Sequence, residues 1–475
     1  MDSLVTKGVS TVISIILARI LMPEDYGIIT ITIVFINFSG IIVQSGINVA
    51  LVRKEAVDEL DYSTSLFYSL VVAGLCYAIF FFLAPCIAAF YGKDIICQVI
   101  RIQMVTLFIG AFGNVRNAIV IREFKFKELC FINAISTVSG GVVGIVLAYG
   151  GMGVWALVFY TLIRDLLSVC LLFIWVRWKP LFHISFIRLK ELMTFSVWVL
   201  LSSILDFWGN NLSSIILGKK YSMSDLGTYS KGGQLAELIC LHTFGAVSSI
   251  LLPTMANSQS DNEKLKNISR KMVSVSSYII FPMMIGLAVI ADRLIPVLYT
   301  EKWNGCVPIL YMSCIYFGIN PFRTINMQLM YAKGDSRIAM IVEVTRFFLL
   351  NGGIIAVIFL FKKDIYWVSR VTAVVAVCTA VITQKYAKGM IGYHYFEWVQ
   401  DMLPHISITA AMGIVVYMVG KIALSDIVVL VAQVMAGVIA YYFFSIVSRN
   451  RMYYELKDLM IGAIKKNWKG KVGHD

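Results

Sequence analysis

Charge is scarce in this 475-residue chain: only 15% of its residues are Asp, Glu, Lys or Arg. A soluble domain carries roughly 25%. So few charges cannot cover a water-facing globule of this length, which excludes a cytosolic enzyme and a disordered tail. Cysteine chemistry is also missing. The nine cysteines include no CxxC pair, and Cys76, Cys170, Cys240 and Cys378 lie inside apolar runs, where they read as small buried residues. With five scattered histidines, the sequence offers neither a metal cluster nor a disulfide scaffold. No small-residue cleavage site follows the first apolar run. Val9–Met22 continues straight into Pro23-Glu24-Asp25-Tyr26-Gly27, and a retained span is expected there.

What is present is hydrophobic: 59% of the residues, with 13% aromatic. A chain whose solvent is lipid must satisfy its backbone internally, so the expected fold class is an all-α polytopic membrane protein. A bilayer-crossing helix needs about 20 residues. Hydropathy places fourteen such helices, at 4–22, 27–50, 65–90, 99–121, 129–149, 153–176, 192–217, 226–252, 272–298, 307–331, 338–360, 365–387, 404–422 and 426–447. Loops are short, so function has to reside within the helices.

The formal charge is +13, from 41 Lys+Arg against 28 Asp+Glu. The basic residues punctuate apolar runs and do not build a polar face, so a membrane surface, not nucleic acid, is the expected partner. Assigning loops alternately to the two sides gives 26 Lys and Arg on one side and 10 on the other, with Arg116 counted in a loop of the richer side. The richer side, which carries both termini, is expected to be cytoplasmic.

A shift of 200 residues superposes Ser14-Ile15-Ile16-Leu17 on Ser214-Ile215-Ile216-Leu217, Asp25 on Asp225 and Gly27 on Gly227. Six spans separate the copies, an even number, so both enter the membrane in the same direction. That is a parallel repeat about an axis along the membrane normal. The plan predicts a lobe at 1–178, an interfacial linker at 179–191, a second lobe at 192–388, an added helix pair at 404–447 and a basic amphipathic tail at 448–475.

Five cations fall outside loops: Arg164, Lys231, Arg323, Arg346 and Arg370. So do four acids, Asp165, Asp206, Glu237 and Glu343. Each costs about 2.5–3.5 kcal/mol at the bilayer centre even on an insertion scale. They are expected to face a hydrated pathway for an anion, or each other. Glu343 and Arg346, three apart, share a helical face and fit a structural pair. Arg164 and Asp165 are adjacent and point about 100° apart, which predicts that they do not pair along their own helix. Pro282 inside span nine, with Pro308 and Pro321 flanking span ten, predicts bent helices.

The opening, Lys7-Gly8-Val9 and Ile16-Leu17-Ala18-Arg19-Ile20-Leu21-Met22-Pro23-Glu24-Asp25-Tyr26-Gly27, resembles the signature of bacterial polysaccharide exporters. These belong to the multidrug/oligosaccharidyl-lipid/polysaccharide exporter superfamily. Gly46-Ile47-Asn48-Val49-Ala50-Leu51-Val52 and Phe90-Tyr91-Gly92 look like further landmarks. The resemblance implies two six-helix lobes in a V around a cationic cavity, plus a C-terminal helix pair. It implies a non-enzymatic flippase for an undecaprenyl-pyrophosphate-linked oligosaccharide, of the O-antigen, capsule or exopolysaccharide type, in the bacterial inner membrane. The five cations would then meet the pyrophosphate. No cofactor is implied. Proton or sodium coupling occurs in the superfamily, with Asp206, Asn210, Asn211 and Glu237 as candidate positions. A polysaccharide polymerase and chain-length machinery are the implied protein partners. The alternatives are a multidrug exporter of the same superfamily, a membrane polymerase or glycosyltransferase, and a non-transporting scaffold. The outer loops carry no catalytic carboxylate pair, which disfavours the enzyme.

Overall fold

The computed structural model describes residues 2–44, 47, 51, 57–123, 125–181, 183, 185–455, 457 and 458. Most of the expected basic tail, and the landmark residues 46, 48–50 and 52, lie outside the described residues. The described chain is helical throughout: α1 Asp2–Ile20, α2 Pro23–Gln44, α3 Glu59–Tyr91, α4 Ile95–Gln103, α5 Thr106–Arg122, α6 Phe126–Tyr149, α7 Val154–Trp175 and α8 Phe186–Lys220. There follow α9 Met223–Ala256, α10 Asn262–Tyr299, α11 Cys306–Ala332, α12 Ser336–Ile355, α13 Ile365–Ile391, α14 Tyr395–Val419 and α15 Asp426–Val447. Among the described residues eleven helices are long and apolar enough to cross a membrane, α4 and α5 together forming one of them. The remaining three, α1, α8 and α11, occupy the positions of predicted spans one, seven and ten. Polar residues Asn320, Arg323, Asn326 and Gln328 lower the hydropathy of α11. The protein is a multi-pass membrane protein.

Two compact units divide the chain, Met1–Ser230 and Lys231–Asp475. In the first, α6 and α7 form the most intimate pair, α1 lies on α6, and α8 packs along α2 and α3. The intimacy has a cause in the sequence. A Cβ on Gly140 would stand 2.8 Å from the Tyr160 carbonyl, and one on Gly144 would stand 2.9 Å from Tyr160 Cβ. Small residues four apart let helix backbones approach where no hydrophobic force between helices operates. The start of α3 is fixed by a capping box, Asp58 accepting from the Asp61 backbone and Asp61 from the Asp58 backbone. The chain between α7 and α8 is tied to the same helix start. Leu181 N–H donates to Ser63 Oγ (2.8 Å), Ser185 N–H to Thr64 Oγ1 (3.2 Å), and Arg188 pairs with Asp58 (3.0 Å).

The duplicated sequence forms duplicated geometry. Met22 N–H donates to Asp25 Oδ2 (3.0 Å), and Ser222 N–H donates to Asp225 Oδ2 (3.3 Å). Each Asp thus satisfies a backbone donor where its helix begins. The two turns also touch. A Cβ on Gly27 would lie 1.8 Å from the Met223 carbonyl oxygen, and one on Gly227 would lie 1.8 Å from the Pro23 carbonyl oxygen. The first turns of α2 and α9 therefore cross in backbone contact, which only glycine at both positions permits.

In the second unit α10 carries α11 on one side and the terminal pair α14 and α15 on another, while α13 packs on α11 and α12. The terminal pair is held by polar ties as well as by apolar packing. Arg270 grips Asp401 with two hydrogen bonds (2.9 and 2.8 Å), Lys266 pairs with Glu397 (2.8 Å), and His405 Nε2 meets Ser274 Oγ (2.9 Å). Proline placement differs in one respect from the sequence expectation. Pro321 lies inside α11 and is buried, not flanking the span; the helix runs on past it because its neighbours enclose the interrupted turn. Pro282 lies within α10, as the periodicity predicted.

Candidate functional site

Apart from the ion pairs that tie α10 to α14, the helices of the second unit carry a charged triad on α11 and α12. Glu343 and Arg346 are one turn apart on α12, with Arg346 Nε 2.7 Å from Glu343 Oε2. From α11, Arg323 Nη1 donates to the other oxygen of the same carboxylate. Its Nε donates to Asn320 Oδ1 at 3.1 Å, one turn earlier on α11. The two arginine side chains are 17% and 16% exposed, so the group is withdrawn from the surface without being sealed. One carboxylate between two guanidinium groups leaves a net positive charge. It also leaves N–H donors over, since each guanidinium carries five. Such an arrangement suits a phosphoryl group, whose oxygens accept paired N–H bonds. The sequence showed the same-face pair on α12; the second arginine arrives from another helix.

The other predicted cations stand apart from this triad among the described contacts. Lys231 is buried on α9, its Nζ 5.1 Å from the centre of the Tyr299 ring. Arg370 is exposed on α13, its guanidinium 4.5 Å over the Trp367 ring. In the first unit Arg164 and Asp165 do pair, with Arg164 Nε 2.9 Å and Nη2 2.8 Å from Asp165 Oδ1. The expectation that neighbours 100° apart stay separate is corrected here. It holds for the Cβ directions, but the long arginine stem curls around the helix. Arg164 also lies against Gly140 of α6.

Of the candidate coupling residues, Glu237 is exposed on α9. Asn211 donates its side-chain amide to the Phe207 carbonyl (2.9 Å), a local bond along its own helix. The side chains of Asp206 and Asn210 lie outside the described residues. Among the described residues no group of three His, Cys, Asp or Glu forms a metal site. Reasoning from sequence missed Asn320, whose spacing of three from Arg323 was the available signal. It also left Arg116 on the border between span four and the loop after it, whereas the side chain is buried within α5. A cation near the end of an apolar run is ambiguous by hydropathy alone.

The chain is a helical membrane bundle with charges withdrawn between its helices, a fold that solved structures share. The fold matches that of the lipid II flippase MurJ, with a TM-score of 0.73 at 14% identity over 94% of this chain and 99% of that one. Residues 16–308 match the family described as polysaccharide biosynthesis protein, and the chain belongs to it. It is thus a member of a polysaccharide biosynthesis protein family whose helical fold matches that of a lipid flippase. The succinoglycan biosynthesis transport protein ExoT of Rhizobium meliloti (strain 1021) is 26% identical, over 66% of this chain and 64% of that one. The lipopolysaccharide biosynthesis protein WzxC of Escherichia coli (strain K12) is 24% identical, over 65% and 63%. The match takes in slightly less than two thirds of either relative.

Proposed function

We propose that the protein is a flippase that carries an undecaprenyl-pyrophosphate-linked oligosaccharide across a bacterial inner membrane for O-antigen, capsule or exopolysaccharide assembly. It works by alternating access around a cationic cavity, with fourteen spans in the lobes drawn from the sequence and both termini cytoplasmic. The triad Arg323–Glu343–Arg346 meets the pyrophosphate, and Arg164, Lys231 and Arg370 serve the same anion along its path. Asp206, Asn210, Asn211 and Glu237 are the positions for proton or sodium coupling, with Asp165 and Glu343 in charge pairing. A polymerase and chain-length machinery receive the product.

The observation that carries the reading is the net positive triad on α11 and α12, in a chain of a polysaccharide biosynthesis protein family. An anion large enough to use two guanidinium groups fits the triad, and a lipid pyrophosphate is one. Arg323→Ala and Arg346→Ala should each stop polymer export, with lipid-linked repeat units accumulating on the cytoplasmic leaflet at normal membrane abundance of the protein. Accumulation on the outer leaflet would show that translocation continues and would overturn the reading.

A further inference from the structure

Arg116 is the largest buried charge outside the proposed pathway. It sits on α5 at 1% exposure, and its one described hydrogen bond runs from Nη1 to the Phe112 carbonyl of its own helix (3.2 Å). Among the described residues no carboxylate lies within ion-pair distance. Nε has no acceptor. Instead the guanidinium lies 3.2 Å from the centre of the Phe173 ring and 5.4 Å from that of Trp178. Trp178 Nε1 is likewise buried without an acceptor. Two donors, Arg116 Nε and Trp178 Nε1, thus share one aromatic wall and have no acceptor among the described residues. Ring faces offset part of the desolvation of a cation, but they accept no strong N–H bond.

The surroundings say what kind of acceptor fits. Phe173, which covers the guanidinium, is 46% exposed, and its neighbours Ile174 and Trp175 are 68% and 44% exposed. An exposed apolar and aromatic surface at the end of a membrane helix faces acyl chains near the headgroup layer. Arg177 and Lys179 follow at once, both exposed. Basic residues flanking such a surface attract anionic lipid headgroups. The short chain that carries them cannot wander, because Leu181 and Ser185 are tied to α3.

We propose that this corner of the first unit is a site for the phosphate of an anionic inner-leaflet phospholipid. The headgroup is drawn in by Arg177 and Lys179 and bound, once the Phe173 ring swings aside, by Arg116 Nε and Trp178 Nε1. The leaflet rests on the orientation adopted under the proposed function; the site itself does not.

The test uses the full chain purified in detergent, with phosphatidylglycerol, phosphatidylcholine and inorganic phosphate as separate probes. Native mass spectrometry and thermal unfolding read the binding. Phosphatidylglycerol should leave a one-to-one adduct and raise the unfolding midpoint, whereas phosphatidylcholine should do so weakly and inorganic phosphate not at all. Arg116→Gln should weaken the adduct about tenfold or more, the loss of one charge-assisted hydrogen bond. Should Arg116→Gln fail to fold, Trp178→Phe and the exposed double variant Arg177→Gln with Lys179→Gln carry the test, each reducing the adduct. Phosphatidylglycerol binding unchanged in these variants would overturn the site. Stabilisation by inorganic phosphate with no further effect of lipid would overturn the lipid assignment. A reporter showing residues 177–185 on the outer side, with Arg116-dependent binding intact, would overturn the leaflet and the orientation while sparing the site.

Discussion

A carboxylate shared by two guanidinium groups behaves differently from a simple pair when its members are removed one at a time. Glu343→Gln leaves both Arg323 and Arg346 without a counter-charge, and about 1–3 kcal/mol of stability should be lost, less than for a sealed pair because Glu343 is partly exposed. Arg346→Gln leaves the Arg323–Glu343 pair intact, so membrane abundance should hold while export falls. The double variant Glu343→Gln with Arg346→Gln separates the roles. Export that stays lost marks Arg346 as a substrate contact; recovered export marks it as a packing partner and removes it from the pathway. Arg164 yields to the same logic. Arg164→Ala should abolish export, and Arg164→Lys should restore part of it, because the charge survives while the planar fork that grips Asp165 does not. Membrane abundance and polymer output, measured together, check both.

At the scale of helices, the crossing of α2 and α9 is the least forgiving contact. Gly27→Val or Gly227→Val would drive a side chain into a backbone carbonyl that stands 1.8 Å from the Cβ position. A backbone atom cannot rotate away as a side chain does, so the helices must part. The expected result is loss of export with a lowered unfolding midpoint, by about 1–3 kcal/mol or more. Gly352→Ala is the control, since nothing lies within 4 Å of its Cβ position on α12. There the added methyl should be neutral or stabilise by up to about 1 kcal/mol, through helix propensity alone. Equal damage from both kinds of variant would deny the crossing any special role.

For the whole molecule, orientation is the property to measure. The bias of 26 basic residues against 10 predicts that a periplasm-active reporter fused at the C-terminus stays silent, and that one inserted near Lys362 is active. The reverse pattern would overturn the orientation and the even span count together.

The membrane class, the helix positions and the duplication were all legible in the sequence. Each depends on local quantities: hydropathy over about 20 residues, the alternation of basic loops, and the recurrence of Asp25 and Gly27 as Asp225 and Gly227. The family was legible too, in the run from Ile16 to Gly27. What lay beyond reach were the partners of buried charges. Glu343 and Arg346 could be paired by counting along one helix, but Arg323 comes from another, and no spacing encodes that meeting. Arg116 stood on the border between span and loop because its neighbours in sequence are ambiguous, and only the rings of Phe173 and Trp178 show it to be buried. Even Gly27 and Gly227, matched as a repeat, gave no sign that they touch. Periodicity determines which face of a helix is apolar; which helix then covers that face is decided by packing between segments far apart in the chain.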